Sequence, residues 1–464
     1  MPHPVERHIV LHKSYVAAIL IMKRVEPFRY RNIEELMKRA EDLGFSLPYQ
    51  DRIDPLFAPL DTPGVKAPNC IAVQPMEGCD GTQEGAPGEL TFRRYRRYAQ
   101  GGSGLIWFEA CSVSPSGRSN PRQLLIRKGT LERFQRLVEA TKEAARDSFS
   151  PDHRPYLVLQ LTHTGRRSMR TGRASIRAAC FNPLLDSSPA DIEPYSDKEL
   201  EEIRDQFVVA AELAWQAGFD AVDIKACHGY LLHELLSAFT RIDSDYGGGF
   251  ECRTRLLLDI MRLVRAAVPG LGVAVRLNAT DGIPYPYGFG VEMNGTAKPD
   301  LSEPLHLQQL LKDAGCALMN ITAGVPSYNP HIGRPANRQV RGSRRTGIDP
   351  LAGVASLLEW AAVFQKANPD LPVVGTGYSW LRQYWPYVGA AVITREDASF
   401  IGLGRSSFAY PEAPLDLMNH GKLDPGKCCV ACSCCTELMR GHQVAGCVIR
   451  DPLVYKRAYL NIGK

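Results

Sequence analysis

Eight short apolar runs alternate with amphipathic segments between about residues 70 and 410, and this alternation constrains the fold more strongly than any other feature of the chain. The runs are aliphatic or β-branched without a strict apolar–polar alternation, which is typical of strands buried on both faces. They are Ile71–Val73, Leu105–Glu109, Tyr156–Leu161, Ala221–Lys225, Val273–Leu277, Ala317–Thr322, Pro372–Gly375 and Phe400–Leu403. Eight such strands separated by helices predict an α/β fold of the (β/α)8 TIM barrel type.

The segments between the runs carry helix signals. Ser196 followed by Glu199 is a capping box, in which the serine oxygen accepts from a free backbone N–H and the glutamate reaches back. Gly218 ends this helix, because glycine adopts the left-handed conformation of a C-cap at little cost. Comparable amphipathic faces are predicted over Leu131–Ala144, Arg255–Val268, Leu305–Ala314 and Val354–Phe364.

A doubly wound sheet is the alternative architecture. A dinucleotide-binding sheet of that kind carries a G-x-G-x-x-G motif after its first strand, and the sequence has none there. In a barrel, the loops after the seventh and eighth strands commonly bind phosphate. Gly375 and Gly377 follow the seventh strand, and Gly404 and Arg405 follow the eighth. Glycines let backbone N–H groups approach an anion, and Arg405 adds a charged fork. The alternative is a pair of glycine-rich turns without a ligand.

The 13 cysteines are unevenly distributed. Six of them crowd the end of the chain, namely Cys428, Cys429, Cys432, Cys434, Cys435 and Cys447. Clustered cysteines at two-residue gaps indicate metal binding rather than disulfides, and four thiolates on short loops suit an iron–sulfur cluster or zinc alike. We therefore divide the chain into a partly disordered N-terminal extension over residues 1–51, the barrel over 52–415 and a Cys-rich tail over 416–464.

Composition excludes several classes of function. With 464 residues, 44% of them hydrophobic, and a net charge of +5, the chain reads as a soluble globular protein without a polyanion-binding surface. No stretch reaches the ~20 apolar residues of a membrane helix. The early run Tyr15–Met22 lacks a cleavage site, so we expect no signal peptide and a cytoplasmic location. Met22 is an alternative start, which leaves open whether the first 21 residues are native.

Several short motifs follow one another along the predicted strands. They are Gln74-Pro75-Met76, Gly101–Ile106 leading to Glu109-Ala110, Gln160–Arg166, Ala217–Ile224, His228–Leu232, Asp245–Gly248 and Gly402–Arg405. In order and spacing, these motifs resemble the old yellow enzyme family over about residues 52–455. The resemblance is to the branch containing 2,4-dienoyl-CoA reductase, enoate reductases and trimethylamine dehydrogenase.

The resemblance implies that the barrel holds FMN. Pro75 and Met76 correspond to residues along the flavin ring, Ala110 to one at its edge and Gln160 to the glutamine at the pyrimidine end. Arg276 corresponds to the arginine beside N1 and O2, where a positive charge stabilises the reduced flavin. The single phosphate would be held by Gly375, Gly377, Gly404 and Arg405. A site for one phosphate argues for FMN rather than FAD.

The resemblance also implies that Tyr230 is the general acid, because a phenol holds its proton at neutral pH and can give it to a basic carbon. Simple ene-reductases place two histidines, or a histidine and an asparagine, near the end of the fourth strand to hold the substrate carbonyl. Here these positions are Lys225 and His228, so a Lys/His pair is expected, unless Lys225 points into a salt bridge. Glu77 stands where relatives have a cysteine or histidine, and its role is open.

Members of this branch bind a [4Fe-4S] cluster through C-x2-C-x3-C-x11-C. Cys429, Cys432, Cys435 and Cys447 give C-x2-C-x2-C-x11-C, so the last spacing is kept and the third cysteine is shifted by one. The neighbouring thiols of Cys428 and Cys434 leave the register open, and structural zinc is the alternative. Large members continue into FAD- and NAD-binding domains. We expect none in this chain, so NADH, NADPH or a separate electron-donor protein would supply electrons.

The predicted function is reduction of the C=C bond of an α,β-unsaturated carbonyl substrate, such as an enoate, an enoyl-CoA or a 3-oxo-Δ4 steroid. An amine dehydrogenase or demethylase on the same flavin is the alternative within enzymes. A non-catalytic zinc-binding protein is the alternative from another class. We expect no nucleic-acid or membrane partner. The stretch Trp380–Trp385 and the N-terminal extension are candidates for contacts in a homo-oligomer.

Overall fold

The computed structural model describes residues 28–170, 175–343 and 346–462. Its strands are β1 (Leu60–Thr62), β2 (Val65–Ala67), β3 (Ile71–Val73), β4 (Leu105–Ser112), β5 (Tyr156–Thr162), β6 (Ile176–Ala178), β7 (Ile192–Pro194), β8 (Ala221–Ala226), β9 (Gly272–Asn278), β10 (Leu318–Thr322), β11 (Val373–Gly375) and β12 (Phe400–Leu403). Its α-helices are α1 (Ile33–Asp42), α2 (Glu89–Gln100), α3 (Leu131–Ser148), α4 (Asp197–Ala217), α5 (Leu231–Leu236), α6 (Phe250–Ala267), α7 (Ser302–Asp313), α8 (Pro330–Gly333), α9 (Pro350–Ala367), α10 (Trp385–Thr394), α11 (Arg405–Ala409), α12 (Ala413–His420), α13 (Cys434–Arg440) and α14 (Pro452–Leu460).

Eight of the strands form a closed parallel barrel in the order β3–β4–β5–β8–β9–β10–β11–β12, and β12 returns to β3. The register at the closure pairs Ile401 with Ile71. All eight predicted strands are therefore confirmed. Their ends differ from the predicted ends by at most three residues, and the largest difference is β4, which continues to Ser112.

Helix α4 shows why the outer layer follows from the sequence. Its N-cap Ser196 accepts a hydrogen bond from the backbone N–H of Glu199 at 3.3 Å, and the carboxylate of Glu199 accepts from the N–H of Ser196. Gly218 ends the helix with φ 91°, which favours glycine. The predicted capping box and C-cap are thus confirmed. No helix in the described part of the chain is both long and apolar enough to span a membrane.

A hairpin closes the amino-terminal end of the barrel. Strands β1 and β2 pair antiparallel, and Val65 packs with Leu105 and Trp107 in one buried cluster. The hydroxyl of Tyr156 donates to the carbonyl of Gly64 at 2.6 Å. With this end filled by side chains, the opening of the barrel lies at the carboxyl ends of the strands, where barrel enzymes place their sites.

The described part of the N-terminal extension packs against this same chain. The ring of Phe28 lies 5.2 Å from the ring of Trp380. The backbone N–H of Phe28 donates to the side chain of Asn337. Leu36 on α1 and Trp385 on α10 belong to the same buried cluster. The two segments proposed as oligomer contacts therefore contact each other within the chain. The predicted disorder of the first residues lies outside the described residues.

A buried ionic network supports the loop after β3. Arg94 on α2 lies between two carboxylates, with its Nη1 2.6 Å from Asp80 and its Nη2 bonded to Glu109. Glu109 in turn accepts from the backbone N–H of Gly78 at 2.8 Å. All three charged side chains are almost fully excluded from solvent. The network therefore fixes the position of residues 77–80, which border the opening of the barrel.

We expect Arg94→Met to lower the free energy of unfolding by ~3–5 kcal/mol, because it leaves two carboxylates buried without their cation. Equilibrium urea unfolding of the purified protein would measure the change. Arg96→Met is the matched control, since Arg96 lies on the same helix with an exposed side chain. Equal midpoints for the two variants would contradict this account of the network.

Candidate active site

A cavity of about 570 Å³ opens at the carboxyl ends of the barrel strands. Its wall is built from residues at or after each of the eight barrel strands. These include Met76 and Glu77 after β3, Gln160 on β5, Lys225 on β8, Arg276 on β9, Thr322 on β10, Gly377 after β11 and Gly404 after β12. Met439, Arg440 and His442 of the Cys-rich tail complete the wall. The barrel closure thus brings residues from the whole chain to one site.

Tyr230 lies at one side of the cavity with two charged groups. Its hydroxyl donates to Oε1 of Glu77 at 2.9 Å, and Nζ of Lys225 lies 3.5 Å from the centre of its ring. Burial and the neighbouring Glu77 carboxylate raise the pKa of Tyr230 well above its usual value of 10. Burial lowers the pKa of Lys225. Lys225 therefore faces the cavity and the phenol rather than a surface salt bridge.

His228 begins the short loop between β8 and Tyr230. Both His228 and Gly229 have positive φ angles, 65° and 74°. A positive φ is uncommon for histidine, and such conformations concentrate at functional sites. Nε2 of His228 lies 3.0 Å from the hydroxyl of Thr322. Burial, together with Arg276 and Lys225, lowers the pKa of His228 well below 6.5, so its ring is neutral at neutral pH.

Gln160 on β5 and Arg276 on β9 line the cavity and share the carboxylate of Asp223 as a neighbour. The amide of Gln160 donates to Asp223 at 2.6 Å, and Asp223 also accepts from the indole of Trp107 and the backbone N–H of Arg276. Nε of Arg276 is buried without a hydrogen-bond partner among the described residues. Because Arg276 lines the cavity, a polar ligand there could supply the missing acceptor, as the pyrimidine end of FMN would.

Two arginines meet at the other end of the cavity. Burial and the nearby charge of Arg405 lower the pKa of Arg334 to about 10. Nη2 of Arg334 is buried without a partner among the described residues, and neither arginine forms an ion pair with a carboxylate described in the structure. Gly404 lies beside Met76, and a Cβ at residue 404 would come 3.2 Å from the methionine sulfur. An anion bound here would be stabilised by both charges, and a single phosphate is such a ligand.

Of the predicted catalytic and cofactor-binding residues, all but Ala110 and Gly375 line this cavity. Ala110 is buried behind the wall, where its carbonyl accepts from Gln123 at 3.1 Å. Gly375 also lies outside the lining, and its carbonyl accepts from Gln74. Sequence reasoning missed Arg334, because the loop after the sixth barrel strand matches no motif of the resemblance. Only the three-dimensional structure brings Arg334 beside Arg405.

The Cys-rich tail is held against the barrel by the loop after α8. The backbone N–H of Asn337 donates to the carbonyl of Ala431, and Ser433 donates to the carbonyl of Arg338 at 2.7 Å. Ala431 and Ser433 both have left-handed backbone conformations, with φ 51° and 62°. Two non-glycine residues in this conformation within three positions make a tight, strained turn.

Backbone N–H groups donate to two of the four predicted ligand sulfurs. Sγ of Cys429 accepts from Ala431 at 3.4 Å, and Sγ of Cys447 accepts from Arg450 at 3.3 Å. The two extra thiols have other partners. These are the carbonyl of Asp424 for Cys428 and the guanidinium of Arg338 for Cys434. Among the described residues, no three His, Cys, Asp or Glu side chains stand close enough together to hold a single metal ion.

Comparisons with curated proteins agree with this geometry. The sequence pattern of the NADH:flavin oxidoreductase / NADH oxidase family matches residues 55–295, just over half of the chain. An NADPH dehydrogenase from Geobacillus thermodenitrificans is 31% identical over 72% of this chain and 93% of its own length. An NADH oxidase from Thermoanaerobacter brockii is 26% identical over 79% of this chain, but the match covers 50% of that protein.

Solved structures show the same fold at lower identity. A 2-naphthoyl-CoA reductase in complex with 2-naphthoyl-CoA superposes with a TM-score of 0.70 and 19% identity, covering 88% of this chain and 58% of that one. The old yellow enzyme homologue from Zymomonas mobilis superposes with a TM-score of 0.57 and 22% identity. The match covers 80% of this chain and 94% of that one. The chain thus spans little more than half of the larger relatives. From its matched pattern, its barrel and its relatives, the chain belongs to the NADH:flavin oxidoreductase / NADH oxidase family of FMN-dependent oxidoreductases.

Proposed function

We propose that the protein is an ene-reductase that reduces the C=C bond of an α,β-unsaturated carbonyl substrate, with Tyr230 as the proton donor. The observation that carries the proposal is the half-buried phenol of Tyr230, whose pKa is raised, at the edge of a cavity whose remaining groups suit FMN. When bound, FMN supplies hydride from N5 to the β-carbon of the substrate. The relatives named NADPH dehydrogenase and NADH oxidase support NADPH or NADH as the reductant.

The chain's own residues would hold FMN at both ends. Gln160 and Arg276 offer hydrogen-bond donors for the pyrimidine end, with Pro75 and Met76 along the ring. The phosphate would lie between the loops of Gly377 and Gly404, against Arg405 and Arg334. This set departs from the sequence prediction by adding Arg334 and by placing Ala110 and Gly375 behind the lining.

The proposed proton transfer places a weak acid against a strongly basic carbon. A phenol with a raised pKa keeps its proton until charge develops on the substrate, and only then gives it to the α-carbon. The neutral ring of His228 would donate a hydrogen bond to the substrate carbonyl, and the ammonium of Lys225 would stabilise the developing negative charge from beside Tyr230.

The charges around the cavity mouth favour an anionic substrate. Arg167 and Arg440 are exposed at the mouth, and neither forms an ion pair with a carboxylate in the described part of the chain. Lys225, Arg276, Arg334 and Arg405 lie deeper, whereas Glu77 is the single acidic residue of the lining. With Arg276, Arg334 and Arg405 occupied by FMN, the cations left for the substrate are Lys225, Arg167 and Arg440. A protonated amine would meet repulsion from these three, so an unsaturated acid or thioester suits the cavity better than an amine. The structural likeness to histamine dehydrogenase therefore extends to the fold alone.

For the tail we propose a [4Fe-4S] cluster on Cys429, Cys432, Cys435 and Cys447. Backbone N–H groups donate to two of these sulfurs, and hydrogen bonds to cluster sulfurs tune the reduction potential. Cys428 and Cys434 are left out of the set because each already contacts another group of the protein. Four thiolates around one zinc ion must converge on a point, whereas each ligand of a four-iron cluster binds a separate iron. Structural zinc on the same thiols stays the alternative. A separate electron-donor protein and a homo-oligomer stay predictions.

Replacing Tyr230 with Phe tests the proposed reaction. We expect Tyr230→Phe to slow oxidation of the reduced enzyme by the substrate about 100- to 10,000-fold, because the proton donor is lost. Reduction of the flavin by NADPH should keep its rate. Stopped-flow absorbance would follow both half-reactions, with crotonyl-CoA, cinnamate and a 3-oxo-Δ4 steroid as oxidants. Failure of all three to oxidise the wild-type enzyme would exclude the proposed substrates, and an unaffected Tyr230→Phe would exclude the donor.

The phosphate end of the cavity gives a second test. Arg405→Gln should weaken FMN binding about 10- to 100-fold, since a charged hydrogen bond contributes ~1.5–3 kcal/mol. Recovery of flavin fluorescence on dilution would measure the dissociation constant. Arg395→Gln is the control, because Arg395 pairs with Asp397 outside the cavity. If both variants hold FMN as tightly as the wild type, Arg405 does not bind the phosphate.

The tail can be tested by its iron content. We expect anaerobically purified protein to contain about four iron atoms per chain, as a cubane on four thiolates requires. Cys435→Ala should lose most of that iron, and Cys434→Ala, its neighbour in sequence, should retain it. The reverse result would move the ligand register by one residue, and zinc without iron would replace the cluster by the zinc alternative.

A further inference from the structure

Glu77 has a single polar contact among the described residues, the hydroxyl of Tyr230. It forms no ion pair within 4.0 Å in the described part of the chain, and its side chain is partly exposed to the cavity. A carboxylate that stabilised the fold would be expected to cap a helix or pair with a cation, as Asp80 and Glu109 do nearby. The geometry therefore associates Glu77 with the phenol and not with the framework.

The backbone around Glu77 is firmly held, which fixes where its carboxylate can reach. The next residue, Gly78, donates to Glu109 at 2.8 Å and accepts from the N–H of Ala445 at 2.7 Å. A Cβ at residue 78 would lie 1.7 Å from a guanidinium nitrogen of Arg94, so only glycine fits against the buried network. The loop thus presents Glu77 to Tyr230 from a rigid support.

We propose that Glu77 is a positioning residue for Tyr230, which orients the phenol and returns a proton to it after each turnover. The inference rests on the proposed function, in which Tyr230 gives its proton to the α-carbon of the substrate. Loss of that proton leaves a tyrosinate next to Glu77. The Glu77 carboxylate then takes a proton from the solvent that enters the cavity and passes it to the tyrosinate oxygen, which restores the neutral phenol and the carboxylate. No oxidant or reductant is needed for this step.

The groups facing the phenol decide the direction of the pH dependence. Glu77 disfavours the tyrosinate, whereas the cations of Lys225, Arg167 and Arg334 favour it, and Cys227 lies on the adjoining strand end. Removing the charge of Glu77 therefore lowers the pKa of Tyr230. As the pH rises, the variant loses its protonated donor earlier than the wild type does.

The experiment compares Glu77→Gln, Glu77→Asp, Tyr230→Phe and the double variant Glu77→Gln with Tyr230→Phe, all as holoenzymes. Stopped-flow would measure oxidation of the reduced enzymes by whichever of crotonyl-CoA, cinnamate and the steroid reacts fastest with the wild type. We expect Glu77→Gln to slow this step at least about 10-fold, with the high-pH limb at lower pH, and Glu77→Asp to recover part of the rate. In the Tyr230→Phe background, Glu77→Gln should cause no further loss, because residues that act as a unit are not additive.

A second readout does not depend on turnover. The near-ultraviolet absorbance of tyrosinate, taken as the difference from Tyr230→Phe, should develop at lower pH in Glu77→Gln than in the wild type. Equal rates and equal titrations in Glu77→Gln and wild type would overturn the proposal. So would an additive loss in the double variant, which would indicate a structural role. If Tyr230→Phe itself were unaffected, the proposed function would fail instead.

Discussion

Closure of eight parallel strands into one barrel is the constraint on which the rest of the structure depends. In such a barrel every strand ends on the same rim, so residues far apart in sequence become neighbours there. Glu77 and Tyr230 meet across 153 positions of sequence in this way. The hairpin of β1 and β2 fills the opposite end, and this leaves a single wide opening at the rim where the cavity forms.

The cavity carries more positive charge than the protein itself compensates. Arg276 and Arg334 each have a buried nitrogen without a partner among the described residues. Unpaired buried donors cost ~1–3 kcal/mol each, and more when they are charged. Such groups persist where a ligand supplies the missing acceptors. An anionic cofactor with a phosphate at one end and a polar ring at the other would supply acceptors to both arginines. The arrangement is thus costly for stability and favourable for tight cofactor binding.

The sequence predicted the barrel well, because buried parallel strands leave continuous apolar runs that need no knowledge of partners. It predicted less of what lies around the barrel. Helix α1 was not predicted, although Asn32 caps it by accepting from the N–H of Glu35 and an N-x-x-E pattern was present. The contact of Glu77 with Tyr230 could not be predicted, because it depends on which side chains of a shared rim face one another. Arg334 was missed for a different reason, because its loop carries no recognisable motif.

A backbone hydrogen bond joins the Cys-rich tail to the loop that carries Glu77 at the edge of the cavity. Ala445, two residues before Cys447, donates to the carbonyl of Gly78, which directly follows Glu77. The buried charges of Arg94, Asp80 and Glu109 hold the same loop from behind. A change in the tail that moved residue 445 would therefore move the carboxylate that contacts Tyr230, without any residue of the tail touching the phenol.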